Sequence, residues 1–287
     1  MKTLKEILGT IDHTLLGGDG TVCVPGLSFD SRSVPAGGVF IAIEGSAADG
    51  HDYIDKAIDG GAAVVVSRKK PDDLRPGVTY VQVEDTSRAL ALMARNFYDD
   101  PTSRIALVGV TGTNGKTTTA TLLYNVFRTM GYKCGLFSTV ENIIDTEHIP
   151  AKQTTPDILT LNAYLDEMIN RGCEYCFMEV SSHALAQQRV AGLDFRGAIF
   201  SNLTHDHLDY HKTFAAYRDA KKLLFDSLSP DAFALVNADD KNGLYMLQNT
   251  RAKKYTYSLG SVSDFRAKIL ESTFEGMELN MDGWGSN

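Results

Sequence analysis

The sequence predicts an α/β fold in two parts, a small α/β domain over residues 1–100 and a larger domain over 101–287 built on a mainly parallel sheet. Three observations predict it. From position 105 onward, short apolar runs alternate with stretches of helical spacing, the βαβ rhythm that sets parallel strands between layers of helices. The stretch IALVGVTGTNGKTTTAT at 105–121 joins a buried-strand pattern to a helix start through a glycine-rich turn. The chain, at 287 residues, is longer than one average domain, and Asp99-Asp100-Pro101 stops a helical pattern just before that strand.

Taken in order, residues 39–43, 63–67 and 80–83 read as strands of the first domain, with helical spacing over 53–59 and 87–98. In the second, 105–110 is a strand and 117–130 a helix ended by Gly131. Strands follow at 134–138, 175–180, 198–203 and 232–237, helices at 158–171 and 214–227, and the last thirty residues read as short strands.

The glycine-rich turn carries chemistry. Residues 109–117 read G-x-x-G-x-x-G-K-T, whereas the usual phosphate-loop spacing would put its first glycine at the position of Val110. Backbone N–H groups of Gly112, Thr113, Asn114 and Gly115, and the helix start at Lys116, Thr117 and Thr118, suit the phosphates of ATP or GTP. Lys116 reaches the outer phosphates and the Thr117 hydroxyl suits Mg²⁺.

Bulk properties narrow the class. A formal net charge of -8 gives no broad basic field for nucleic acid or a membrane surface. The N-terminus lacks the apolar core of a signal peptide, and no run approaches the roughly 18 apolar residues of a membrane span, so the chain reads as cytoplasmic. Cys23, Cys134, Cys173 and Cys176 are too few for a disulfide framework, and the single C-x-x-C has no second pair to complete a zinc site; they read as free buried thiols.

In an open α/β sheet the ligand sits beyond the carboxyl ends of the strands. Glu179 falls at such an end and suits Mg²⁺, with Ser181, Ser182 and His183 after it. Residues 201–211 pack His205, His207 and His211 with Asp206 and Asp209 behind another strand, a density that implies a metal or a charged substrate without fixing which histidine binds. Arg189 can hold a carboxylate through two hydrogen bonds. Lys221 and Lys222 lie on a helical pattern whose spacing alone reads as a solvated face.

Four stretches in this order, GVTGTNGKTTT, MEVSSHAL, NLTHDHLDYH and AYRDAKKLLF, resemble the Mur ligases of bacterial cell-wall synthesis. They look like the branch that adds the third peptide residue, meso-diaminopimelate or L-lysine, to UDP-N-acetylmuramoyl-L-alanyl-D-glutamate. FDSR at 29–32, FIAIEG at 40–45 and DGHDYI at 49–54 resemble that branch's UDP-binding domain. The resemblance implies a small UDP-binding domain, a central ATPase domain, ATP and Mg²⁺ as cofactors, and an acyl phosphate attacked by the incoming amine. It implies Thr117 at a first Mg²⁺, Glu179 and His207 at a second, catalytic roles for Lys116 and Lys221, and carbamylation of Lys221. Ser31 with Ser46, Ala47 and Ala48 matches contacts to the UDP portion; Thr154, Thr155, Ser181, Gln187 and Arg189 match contacts to the muramoyl peptide. A monomer is expected.

The family's C-terminal Rossmann-type domain, which holds the amino acid, lies outside these 287 residues, so the expectation is binding with little turnover. The alternatives are a P-loop kinase or GTPase, a non-catalytic binder of the UDP-sugar peptide, or a sibling ligase adding D-glutamate or D-alanyl-D-alanine.

Overall fold

The computed structural model describes residues 1–45, 48–206, 208–273 and 276–283. Two compact units divide it: Met1–Pro101 with Asp157–Asp166 and Gln187–Leu193, and Thr102–Pro156 with Glu167–Ala186 and the chain from Asp194 onward.

The first unit contains β1 (Lys2–Thr3), α1 (Leu4–Leu8), β2 (Thr14–Gly17), β3 (Cys23–Val24), β4 (Leu27–Ser28), β5 (Val39–Ile41), α2 (Ile54–Asp59), β6 (Val64–Ser67), β7 (Thr79–Gln82) and α3 (Thr86–Phe97). Its sheet runs β2-β7-β6-β5-β4, parallel except for β2 at one edge. Val39, Phe40, Ile41 and Val64, Val65, Val66 are all buried, the unbroken apolar runs expected of parallel strands covered on both faces. Strands of two to four residues such as β1 to β4 are too short to show a period, which is why the sequence did not announce them. The α3 N-terminus is capped by Asp85, whose Oδ1 accepts from Arg88 N at 2.9 Å and whose Oδ2 accepts from Gln188 Nε2 at 3.0 Å. Asp85→Ala should cost about 1–2 kcal/mol in urea unfolding, the loss of a cap and one side-chain bond.

The second unit contains β8 (Ala106–Thr111), α4 (Lys116–Thr129), β9 (Cys134–Phe137), β10 (Glu141–Ile144), β11 (Glu147–Pro150), the end of α5 (Ile158–Asn170), β12 (Tyr175–Glu179), α6 (Ser182–Ala186), β13 (Phe195–Phe200), α7 (Leu208–His211), α8 (Phe214–Asp226), β14 (Phe233–Asn237), α9 (Gly243–Met246), β15 (Lys253–Ser258), β16 (Phe265–Ser272) and β17 (Met277–Asp282). They build one sheet in the order β11-β10-β9-β12-β8-β13-β14-β15-β16-β17. From β9 through β16 every neighbouring pair is parallel, so the predicted α/β fold with a mainly parallel sheet holds. Antiparallel hairpin partners extend it at both ends. Helix α4 lays Ala120 and Tyr124 on Val108, Val110, Leu136 and Phe177, and Phe127 meets the Phe177 ring edge-on at 5.0 Å.

The chain leaves central β8 for β9, two places to one side, and later returns to β13 on the other. That reversal opens a crevice at the carboxyl ends of β8, β12 and β13, where such sheets bind ligands. The strand expected at 198–203 is instead Phe195–Phe200. Exposed Arg196 interrupts the apolar run and hides the strand's start, while Ser201 and Asn202 have left the sheet to meet the glycine loop. Of the four cysteines, all free, Cys134, Cys173 and Cys176 are buried as expected; Cys23 is exposed on a two-residue strand.

Candidate active site

β8 ends at Thr111 and α4 begins at Lys116, so the intervening glycine loop sits in the crevice. Gly115 takes the N-cap position and brings no side chain to the first-turn N–H groups, which remain for a ligand. A strap from the end of β13 holds the loop. Thr113 N donates to Asn202 O at 2.8 Å, Asn114 N to Asn202 Oδ1 at 3.0 Å, Ser201 Oγ to Asn114 O at 2.6 Å and Thr204 N to Thr113 Oγ1 at 3.0 Å.

Two lysines from different helices converge on one loop carbonyl. Lys116 Nζ donates to Gly112 O at 3.0 Å and to Thr113 O at 2.9 Å, and Lys221 Nζ donates to Gly112 O at 2.8 Å. Lys221 is 1% exposed. Burial, reinforced by the Lys116 charge and opposed by Asp206, pushes its amine down to about 7. Burial also lowers Lys116, against the charges of Glu179 and Asp206. Two lysine amines meeting on one carbonyl form a local field suited to an anion.

The solvated face read for Lys221 and Lys222 is therefore wrong for both. α8 buries Tyr217, Ala220, Lys221, Lys222, Leu224 and Phe225 together, and Lys222 is satisfied by an ion pair with Asp226 one turn on. Tyr217 was missed. Fully buried, it places its OH 3.0 Å from Thr113 Oγ1 and its ring 4.8 Å from the Lys221 ammonium. An aromatic one turn before the lysine was the available signal.

Glu179 ends β12 and is fully buried. Its carboxylate accepts from Thr139 N at 2.6 Å. Around it the structure gathers Thr154, Thr155 and Ser181: Thr155 Oγ1 donates to Glu179 O at 2.8 Å, Ser181 N donates to Thr155 Oγ1 at 3.1 Å, and Thr154 Oγ1 lies 3.2 Å from Thr139 Oγ1. Thr117 and Thr118 stand in the first turn of α4.

His211 is buried with Nε2 3.0 Å from Ser182 Oγ, His205 is exposed with its ring 4.9 Å from that of Phe214, and His207 lies outside the described residues. Among the described residues, the metal-compatible grouping of His, Cys, Asp and Glu is Glu44, Asp49 and His51 in the first unit. There Nδ1 of His51 is 2.6 Å from Asp49 Oδ1, and Nε2 accepts from Arg68 N at 3.0 Å, so both ring nitrogens are engaged within the protein.

Also in the first unit, Ser31 is half-buried, Ala48 is exposed and its carbonyl accepts from Gly45 N at 3.0 Å, and Ser46 and Ala47 lie outside the described residues. Gln187 Oε1 accepts from Arg189 Nε at 2.9 Å and from its NH2 nitrogen at 2.7 Å, which fixes the guanidinium plane.

A glycine loop held at the switch point of a parallel sheet places the second unit among the P-loop α/β proteins. Within that class the chain belongs to the Mur ligase family. Residues 24–98 match the domain described as "Mur ligase family, catalytic domain", and residues 110–286 match the Mur ligase middle domain. A protein of Phocaeicola vulgatus named UDP-N-acetylmuramoyl-L-alanyl-D-glutamate--2,6-diaminopimelate ligase is 55% identical over 282 residues, 98% of this chain and 58% of the relative. One of the same name from Cytophaga hutchinsonii is 52% identical over 281 residues, with the same shares covered. A solved structure bearing that name superposes with a TM-score of 0.83 at 28% identity, over 99% of this chain and 58% of the other. A MurF ligase from Thermotoga maritima in complex with ADP has the same fold, with a TM-score of 0.58 at 22% identity over 90% of this chain and 56% of that one. The chain thus spans somewhat more than half the length of the relatives it matches.

Proposed function

We propose that this chain forms the nucleotide-binding and muramoyl-dipeptide-binding parts of a ligase that joins 2,6-diaminopimelate to UDP-N-acetylmuramoyl-L-alanyl-D-glutamate in cell-wall synthesis. The observation that carries the reading is the convergence of Lys116 and Lys221 on Gly112 O beside the buried carboxylate of Glu179. The names of relatives sharing more than half of its residues supply the substrates.

In this reading residues 1–100 bind the UDP-muramoyl dipeptide, with Ser31 and 46–48 at the UDP end and Thr154, Thr155, Ser181, Gln187 and Arg189 at the peptide. Residues 101–287 bind ATP through 112–118. Lys116 leaves the carbonyls of its own loop for the outer phosphates. The dipeptide carboxylate attacks the γ-phosphorus and ADP leaves; the incoming amine then attacks the acyl carbon, inorganic phosphate leaves, and the nitrogen gives up a proton as the amide forms. Thr117, Glu179 and His207 are the residues assigned to Mg²⁺, an oxygen-rich set suited to that ion, which when bound neutralises phosphate charge. The fit rests on a fully buried carboxylate whose charge acts on Lys116. Lys221 has the low-lying amine that carbamylation needs: the neutral nitrogen attacks the carbon of CO₂, a carbamate forms, and one proton leaves. A cation that would repel the metal thereby becomes an anion. The site of action is the cytoplasm, in keeping with the absence, among the described residues, of any helix long and apolar enough to cross a membrane.

Calorimetric titration tests this directly. Both UDP-N-acetylmuramoyl-L-alanyl-D-glutamate and ATP with Mg²⁺ are expected to bind, and a chain that binds neither overturns the reading. A second reading is that these 287 residues bind both without ligating them. Amide formation with 2,6-diaminopimelate by this chain decides against it.

A further inference from the structure

Thr139 follows β9 and stands exposed beside two of the proposed contacts. Its N–H donates to Glu179 Oε1 at 2.6 Å. Its hydroxyl lies 3.3 Å from Glu179 Oε2 and 3.2 Å from Thr154 Oγ1. The hydroxyl has one proton and two acceptors within reach. Thr154 Oγ1 accepts in this pair, and its own proton can be turned to a ligand.

We propose that Thr139 is a positioning residue whose hydroxyl couples muramoyl-dipeptide binding at Thr154 to divalent-cation binding at Glu179. The proposal rests on the substrate and metal assignments made above. Without substrate the one Thr139 proton is shared between Thr154 Oγ1 and Glu179 Oε2, where it occupies a lone pair. A substrate oxygen that takes the Thr154 proton makes Thr154 Oγ1 a stronger acceptor, as hydrogen bonds in a chain polarise one another, and draws the Thr139 proton to it. Oε2 is then released for a cation, while the backbone N–H keeps Oε1 pinned and the carboxylate plane fixed. By linkage the effect is reciprocal: the cation tightens the dipeptide by the same factor. Neither serine nor threonine differs in this respect, whereas valine keeps the shape and removes the proton.

The test is Mn²⁺ affinity, read by electron paramagnetic resonance with a non-hydrolysable ATP analogue, with and without UDP-N-acetylmuramoyl-L-alanyl-D-glutamate. In the unaltered chain and in Thr139→Ser the dipeptide is expected to tighten Mn²⁺ about fivefold or more. Thr139→Val is expected to abolish the tightening, and circular dichroism checks that the chain remains folded. Tightening retained in Thr139→Val, or absent from the unaltered chain, overturns the coupling. Glu179→Gln separates the two levels. If it weakens Mn²⁺ while Thr139→Val still couples, only the role of Thr139 fails; if it leaves Mn²⁺ untouched, the metal assignment fails with it.

Discussion

Lys221→Met is expected to stabilise the folded chain by on the order of 2 kcal/mol at pH 6 while removing the amine that carbamylation requires. The ammonium is 1% exposed and held near 7, against an ordinary value of 10.5. Each unit of such a shift corresponds to about 1.4 kcal/mol, so keeping this group charged in the folded state costs several kcal/mol, partly offset by its bond to Gly112 O. The sign follows from where the proton sits. Below pH 7 the amine is charged folded and unfolded, and the penalty is fully present. Between about 7 and 10.5 the folded chain releases its proton first, so folding becomes more favourable as pH rises. The advantage of methionine should therefore be largest at pH 6 and fade toward pH 10. Urea unfolding in CO₂-free buffer at pH 6, 8 and 10 measures it. An advantage that grows with pH, or a loss of stability at pH 6, refutes the assignment of a buried, destabilising cation.

That behaviour was not legible in the local pattern. Helical spacing around Lys221 offered a lysine pair and nothing to say which side was covered, because burial depends on α8 packing beneath a loop more than a hundred residues earlier in the chain. Only the resemblance pointed to the residue. The glycine loop and Glu179 were legible, since a strand, a turn and a helix start are consecutive in sequence and a carboxylate at a strand's end is defined by that strand. The strand that became β13 was displaced because an exposed arginine lies within it, and the strap formed by Ser201 and Asn202 looked like its continuation. The histidine-rich segment was legible as a density and no further. Its density implied a metal or a charged substrate without saying which histidine binds, and among the described residues His211 turns inward to Ser182 while His205 remains at the surface. Thr139 lay in no motif, and Tyr217, though inside the AYRDAKKLLF stretch, was given no role there; their importance lies in partners 40 and 104 positions away.

Gly112→Ala should be the most damaging small substitution in the loop, costing about 2–4 kcal/mol and weakening ATP by at least an order of magnitude. Two effects combine there. The backbone at φ +153° lies in a region that L side chains rarely adopt, and an added Cβ would fall 2.0 Å from Ser201 Oγ and 3.0 Å from Asn202 O. Neither neighbour can yield cheaply. Ser201 Oγ is bonded to Asn114 O at 2.6 Å, and Asn202 O receives Thr113 N at 2.8 Å, so relief of the clash opens the strap that shapes the loop. The Gly112 carbonyl would move with it, and with the carbonyl the point on which Lys116 and Lys221 meet. Gly131→Ala separates strain from crowding, because that residue also has a positive φ, +95°, but an added Cβ meets nothing within 4 Å. It should cost about 1 kcal/mol and leave ATP affinity unchanged. Equal losses for the two variants would mean that the tight seating of Gly112 against the strap contributes nothing, and the loop would then owe its shape to its own residues alone.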